Sequence, residues 1–408
     1  MITSTVQPSR RRLLLYLATM AVAASSCRCL AGPTTLNMTS QREARHEQNL
    51  FWENYKATFI RNLGRGSIIV DPLTNLAPSE AMGHGLIFAA EREDWATFDT
   101  FLQGLSYFRK ANGLFRWKIN PDGTVPPNDN NLASASETEQ NVTYALLLAY
   151  EKTGQNRYRN MARHLLTSVW QHEVVNFQGR LIFMPGDRTD NSYWPINETT
   201  NELVWNPSYF SPHLYRKFAE YDESHDWDKL INDGYYLINE TLRLATNNPE
   251  EFGITGINPM PAWVWLTPHG NNDLNVRSYY PNIISATEIE RSSNEWDTIR
   301  IPIYLAIDTD HAEAINFLGN FFSVVQINRP EDAIIGRGRT GPTDQGYNSE
   351  MAIAAYATGL NALGRETTSF MTRLNINNRG FITATRNSYY DQTICYYSWL
   401  QINGLFPN

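Results

Sequence analysis

The stretch Val142–Tyr150 constrains the fold more than any other part of the chain, because it is apolar on almost every side. A helix without a polar face has to be enclosed by other protein elements. Lys152-Thr153-Gly154 ends it in the manner of a glycine C-cap. Helical periodicity dominates the rest of the chain as well. Phe51, Trp52, Tyr55, Phe59 and Ile60 recur at three- and four-residue spacing, as do Trp95, Phe98, Phe101, Leu102 and Leu105. Arg157–Trp170 is amphipathic, and further helices read at Tyr209–Tyr221, Trp227–Ala245, Ile299–Ile307, Ala312–Val325, Ser349–Leu363 and Tyr389–Gly404. Pro, Gly, Asn and Asp fill the intervals, as loops require. Helices of this kind, joined by loops of uneven length, predict an all-α fold of helical hairpins rather than a sheet. No composition shift or low-complexity linker divides the chain, so one domain is expected over residues 51–408, after a polar segment at 32–50.

The first 31 residues read as an export signal. Arg10, Arg11 and Arg12 precede the apolar run Leu13–Ala24, too short to span a bilayer and suited to a signal-peptide core. Ser9-Arg10-Arg11-Arg12-Leu13-Leu14 also fits a twin-arginine signal, and Cys29-Leu30-Ala31 offers a cleavage site. Removing residues 1–31 takes Cys27 and Cys29 with it and leaves Cys395 alone, so no disulfide framework or Cys/His zinc site is expected. The net charge of −8 becomes more negative without the four leader arginines. With no Lys/Arg block, the chain lacks the footprint needed to neutralise nucleic-acid phosphates. Aromatics make up 12% of residues and charged side chains only 19%, leaving a surplus of flat rings for either core or an uncharged ligand.

Three carboxylate-bearing segments stand in apolar surroundings. In Pro78-Ser79-Glu80-Ala81-Met82-Gly83-His84-Gly85, Pro78 or Ser79 opens a helix and Glu80 lies in its first turn, on one face with Gly83, His84 and Ile87. The two glycines weaken a helix and imply close approach by a backbone or a ligand. Glu80 is either a carboxylate favoured by the helix dipole or a general acid with a raised pKa. In Ala135-Ser136-Glu137-Thr138-Glu139, two carboxylates at the mouth of the buried helix face inward or cap it. In Trp296-Asp297-Thr298-Ile299-Arg300-Ile301-Pro302, Asp297 and Arg300 share a helical face, an arrangement that keeps a carboxylate ionised. Gly336-Arg337-Gly338-Arg339-Thr340-Gly341 matches a dinucleotide fingerprint, but Pro342 follows where a helix is needed, so it reads as a loop. Asp308-Thr309-Asp310 lacks the other ligands of a calcium loop and reads as a helix start.

At these segments the chain resembles glycoside hydrolase family 8, in order, from about Phe51 to Phe406. Ser79-Glu80-x-x-Gly83-x-Gly85 resembles the family's Ser-Glu-Gly-Gln-x-Tyr-Gly motif, and Ala135–Glu139 its Ala-Thr/Ser-Asp-Ala/Gly-Asp signature. Trp205-Asn206-Pro207-Ser208-Tyr209-Phe210-Ser211-Pro212 is similar to its Asn-Pro-Ser-Tyr segment. Trp296–Pro302 resembles its Tyr-Asp-Ala-x-Arg-x-Pro motif, and Tyr389-Tyr390-Asp391 its closing Tyr-Tyr pair.

The resemblance implies an (α/α)₆ barrel and inverting hydrolysis of a β-1,4 glycosidic bond, with no metal or organic cofactor. It implies Glu80 as general acid, Asp297 as general base held ionised by Arg300, and Glu137 where the family has a sugar-distorting Asp. Trp117, Trp205, Tyr209, Tyr280, Trp296, Tyr389 and Tyr390, with Trp194, are candidate platforms for sugar faces. The implied partner is a polysaccharide bound by a monomer, with a synthase or export machinery as the associated protein complex and no nucleic acid. The departures bear on substrate. Glu137 and Glu139 stand in place of Asp, His84 in place of Tyr, Trp296 in place of Tyr, and Pro261-Ala262-Trp263 lacks the Asp of Pro-Asp-Trp. Three readings follow: an exported cellulose-directed endoglucanase, a hydrolase for chitosan, xylan or mixed-linkage glucan, or a non-catalytic glycan-binding protein on the same scaffold.

Overall fold

The computed structural model describes residues 38–127, 133–187, 201–248, 260–270, 273–278, 297–325, 327, 329–330, 333–335, 347–348, 350–374, 376, 380, 382 and 388–407. The leader, Trp194, Tyr280, Trp296 and the glycine-rich loop at 336–341 lie outside them.

Twelve α-helices follow one another among the described residues. They are α1 (Met38–Phe59), α2 (Ser79–Glu91), α3 (Trp95–Gly104), α4 (Ser136–Thr153), α5 (Asn156–His172), α6 (Pro212–Ala219), α7 (Trp227–Asn247), α8 (Arg300–Ile307), α9 (Ala312–Val325), α10 (Glu350–Ala362), α11 (Thr368–Met371) and α12 (Tyr389–Ile402). The even-numbered helices form the inner ring. α2 packs on α4, α4 on α6, α6 on α8, α8 on α10 and α10 on α12, and α12 closes against α2. Odd-numbered helices back onto this ring, giving the (α/α)₆ architecture.

Sequence composition sorts helices between the two layers. In α4 every residue from Ser136 to Ala149 is buried, and in α10 every residue from Met351 to Leu360. Outer helices keep one wet face: α5 buries Tyr158, Ala162, Leu165, Leu166 and Val169, one helical stripe. The first helix begins at Met38, inside the expected polar segment. Ala44, Gln48, Phe51, Tyr55 and Phe59 make its buried stripe, and Arg42, Glu43, Arg45 and His46 face water. Phe51 then stacks on Tyr396 of α12, with ring centroids 3.8 Å apart. Gly154 ends α4 with φ of 67°, the left-handed C-cap read from the sequence. Asp308, expected at a helix start, instead follows α8. It accepts from Arg216 Nε at 2.9 Å and from Tyr235, tying α6 and α7 to the end of α8.

The glycines of α2 answer to packing rather than to a ligand. A Cβ on Gly83 would lie 2.7 Å from Asn141 Cβ on α4, and one on Gly85 would lie 2.3 Å from Ile69 Cδ1. Gly83→Ala is therefore expected to destabilise the fold by about 1–3 kcal/mol through overpacking. A free helix position would instead gain up to about 1 kcal/mol from the same change. Urea unfolding midpoints distinguish the two signs.

Short antiparallel strand pairs fill some of the connections. Leu203–Trp205, Val264–His269 and Asp273–Ser278 form a three-stranded sheet, and Val174–Phe177 pairs with Arg180–Phe183. Ala77–Pro78 pairs with Lys118–Ile119, which places Trp117 beside the start of α2. Much of the aromatic surplus is core: Trp227, Tyr55, Tyr158, Tyr215, Tyr356 and Tyr396 are among the largest fully buried side chains. Cys395 is buried and unpaired by any disulfide. No helix among the described residues is long and apolar enough to cross a membrane.

Candidate active site

N-terminal ends of inner helices meet at one place. Ser79 of α2 hydrogen-bonds Thr138 of α4 through their hydroxyls at 2.7 Å. Arg300, the first residue of α8, reaches Glu137 of α4, Ser208 ahead of α6, and the ring of Tyr390 on α12. Helix N-termini carry partial positive charge and unsatisfied N–H groups, a setting that tolerates clustered carboxylates.

Pro78, extended at φ −77° and ψ 143°, leads into α2 as its N-cap, and Ser79 N donates to Trp117 O at 2.7 Å. Glu80 follows in the first turn, half-buried, with Oε2 buried and accepting no hydrogen bond. Burial first, then the neighbouring Glu137 and Asp297, push its pKa up to about 8, against the opposing pull of its own backbone N–H and Arg300. At neutral pH Glu80 thus holds its proton.

Asp297 has the opposite setting. Arg300 Nη2 donates to its Oδ1 at 2.9 Å, and Asn206 Nδ2 lies 3.4 Å from its Oδ2. Asn206 Oδ1 accepts from Ser208 N at 2.9 Å and from Ser208 Oγ at 2.7 Å, which turns the amide N–H₂ toward the carboxylate. The Asp297 side chain remains 30% exposed while that of Arg300 is 3% exposed, so the carboxylate faces the solvent and its counter-ion does not.

Glu137 is enclosed, with 2% exposure. Its Oε2 receives Arg300 Nη1 and its Oε1 receives the Tyr304 hydroxyl, with His84 Nε2 3.5 Å from the same oxygen. Burial alone raises such a carboxyl, but Arg300, His84 and Tyr304 together hold it down at about 2. Neither Glu137 nor Glu139 caps α4; both point inward. Glu139 Oε1 accepts the backbone N–H of Phe115 at 2.7 Å, and burial followed by Glu173 keeps its pKa well above the usual range.

The ring candidates divide. Tyr209 and Tyr390 are half-buried and lie 4.8 Å and 5.9 Å from the Arg300 guanidinium. Tyr389 is 8% exposed and its ring centroid lies 6.1 Å from that of Tyr390. Trp117 is half-buried, with Lys118 Nζ over its ring at 4.2 Å, beside the segment that carries Glu80. Trp205, by contrast, is 3% exposed and belongs to the hydrophobic core. The structure adds Asn206, Ser208, Tyr304 and Trp263 to the expected set. The first two sit inside the motif already read, Trp263 meets Tyr209 edge-on at 6.2 Å, and Tyr304 is one helical turn beyond Arg300. Among the described residues no group of three His, Cys, Asp or Glu could hold a metal ion.

The family described as glycosyl hydrolases family 8 matches residues 33–395. The chain belongs to it. Endoglucanase A of Acetivibrio thermocellus is 28% identical over 219 residues, 52% of this chain and 43% of that protein. The endoglucanase of Cellulomonas uda is 29% identical over 264 residues, 64% of each chain. The chain thus spans about half the length of the curated relatives it matches. The solved structure of endoglucanase Cel10, a family 8 glycosyl hydrolase from Klebsiella pneumoniae, superposes with a TM-score of 0.62 at 25% identity, covering 86% of this chain and 97% of that one.

Proposed function

We propose that this family 8 protein is an exported endo-β-1,4-glucanase that cleaves a cellulose-like chain with inversion. The observation that carries the reading is the division between two carboxyls at one mouth: Glu80 desolvated and protonated, with Oε2 accepting no hydrogen bond, and Asp297 ion-paired to Arg300. Glu80 donates its proton to the leaving glycosidic oxygen as the C1–O bond breaks. Asp297 takes a proton from the water that attacks C1 from the opposite face, and Arg300 Nη2, donating to its Oδ1 at 2.9 Å, holds the carboxylate in place. Tyr209, Tyr390 and Trp117 supply ring faces for neutral sugars. The names of the relatives support a glucan substrate, and Arg10–Arg12 with Leu13–Ala24 support export.

A second substrate reading, another β-glycan such as mixed-linkage glucan, xylan or chitosan, is favoured by the altered pair His84 and Glu137. Sugar release from a panel of these polymers and cellulose decides between them, with the first-formed anomer read by NMR. Highest rates on β-1,4-glucan and initial α-anomer are expected. A β-anomer product would overturn inversion, and a wild type inert on the whole panel would leave only glycan binding.

A further inference from the structure

Two of the departures from the family pattern touch each other. Glu137 carries one methylene more than the family's Asp, and His84 stands where the family motif has Tyr. The structure brings His84 Nε2 within 3.5 Å of Glu137 Oε1. His84 is fully buried, edge-on to Tyr397 with ring centroids 5.4 Å apart. The added methylene and the exchanged ring therefore form one packed unit beneath the site.

A carboxylate that grips a sugar needs at least one oxygen free toward the cleft. Glu137 is only 2% exposed, so neither oxygen opens to the cleft, and each already accepts within the protein, Oε2 from Arg300 and Oε1 from Tyr304. Asp297, 30% exposed, shows what an oxygen open to substrate looks like at the same mouth. Arg300 is fixed from several directions: Nη1 by Glu137, Nη2 by Asp297 Oδ1 and Ser208 Oγ at 2.9 Å each, and Nε by the Asp297 carbonyl at 3.2 Å. Besides Asp297, Glu137 brings a second full charge to this buried guanidinium, and it does so at a different nitrogen, Nη1 rather than Nη2.

From this we infer that Glu137 is a positioning residue in this chain, one that locks Arg300 onto Asp297 and does not contact the sugar. The Tyr304 hydroxyl donates to Glu137 Oε1, and the buried ring of His84 lies against the same oxygen, with Nε2 3.5 Å away. The inference rests on the glucanase reading above and alters one role within it. The sugar at the cleavage point is then gripped by groups other than the one the family pattern suggests.

The test compares Glu137→Asp, which keeps the charge and shortens the reach, with Tyr304→Phe, which removes one buried hydroxyl. Turnover is measured on the best polymer of the panel. Affinity is measured by calorimetry with cellohexaose, with each variant placed on a Glu80→Gln background to prevent cleavage. Expected are falls in kcat on the order of 10- to 100-fold for Glu137→Asp, in line with a misplaced base. Tyr304→Phe falls in the same direction, and cellohexaose Kd stays within about twofold in both, as a group remote from the sugar requires. The double variant His84→Tyr with Glu137→Asp, which restores the family pair, recovers kcat. Thermal midpoints near wild type identify folded variants, and Tyr304→Phe carries the test if Glu137→Asp does not fold. A Kd weakened in parallel with kcat by Glu137→Asp, with Tyr304→Phe silent, overturns the inference and leaves the glucanase reading standing. A wild type inert on every glycan overturns both.

Discussion

Replacing Glu80 by Gln is expected to lower kcat on a β-glucan by roughly 10²–10⁴-fold, the range a positioned proton donor contributes. The amide keeps the size of the side chain, so the unfolding midpoint moves little and the loss reports the proton alone. The size of the loss depends on the leaving group. An aryl oligoglucoside whose phenolate leaves without protonation loses far less than the polymer does. Equal losses on both substrates would sink the assignment of Glu80 as acid. The pH profile supplies a second readout. Because burial and the carboxylates nearby push the Glu80 pKa up to about 8, the active, protonated form persists through neutrality and is lost as pH climbs past that value. The alkaline limb of kcat/KM in wild type therefore falls near pH 8, and it is absent in Glu80→Gln, which has no proton to lose there.

The placement of Glu80 was legible for a physical reason: a carboxyl in the first turn of a helix made of Ala, Gly, Leu, Ile and Phe has few places to go but a buried mouth. The inner helices were legible on the same ground, since a segment such as Val142–Ala149 cannot be hidden except within a ring of other helices. The order of that ring was not. It depends on α12 meeting α2, and Phe51 meeting Tyr396, contacts between distant parts of the chain that no local period encodes. The resemblance supplied the barrel instead. The strand pairs are not legible in the sequence because each is short; the hairpin at Phe177–Arg180 turns through Gln178 and Gly179, with φ of 51° and 78°, in place of the Asn-Gly that marks such a turn. Tyr304 is hidden for a different reason: a tyrosine in an apolar helix reads as core until Glu137, 167 residues earlier, is placed against its hydroxyl. Trp205 shows the converse. A Trp beside a sugar-binding motif reads as a platform, but its place in a wholly buried strand, paired with Val264, makes it core.

Asp297→Ala should lower turnover by roughly 10²–10⁴-fold, comparable to loss of the acid. Its diagnostic is rescue rather than loss. With the carboxylate gone, water at C1 has no proton acceptor, but Glu80 still protonates the departing oxygen. A small anion that needs no base can occupy the space left beside Arg300, whose guanidinium is held by Ser208 and Glu137 even without Asp297. Added azide is therefore expected to restore glycosidic cleavage in Asp297→Ala, giving an α-glycosyl azide: the new C1–N bond forms on the face opposite the breaking C1–O bond, and the Glu80 proton leaves with the alcohol. The same azide does nothing for Glu80→Gln on the polymer, since an anion cannot replace a missing acid. A β-glycosyl azide would instead mean that a carboxylate had first attacked C1, which would overturn the inverting assignment for this pair. Asp297→Asn separates charge from space: the amide fills the site, keeps its contact to Arg300 through the carbonyl oxygen, and excludes the anion, so its turnover stays low with or without azide. Arg300 accounts for both results. It is built to hold a negative charge at one point in the mouth, and the carboxylate of Asp297 is the group that the wild-type sequence places there.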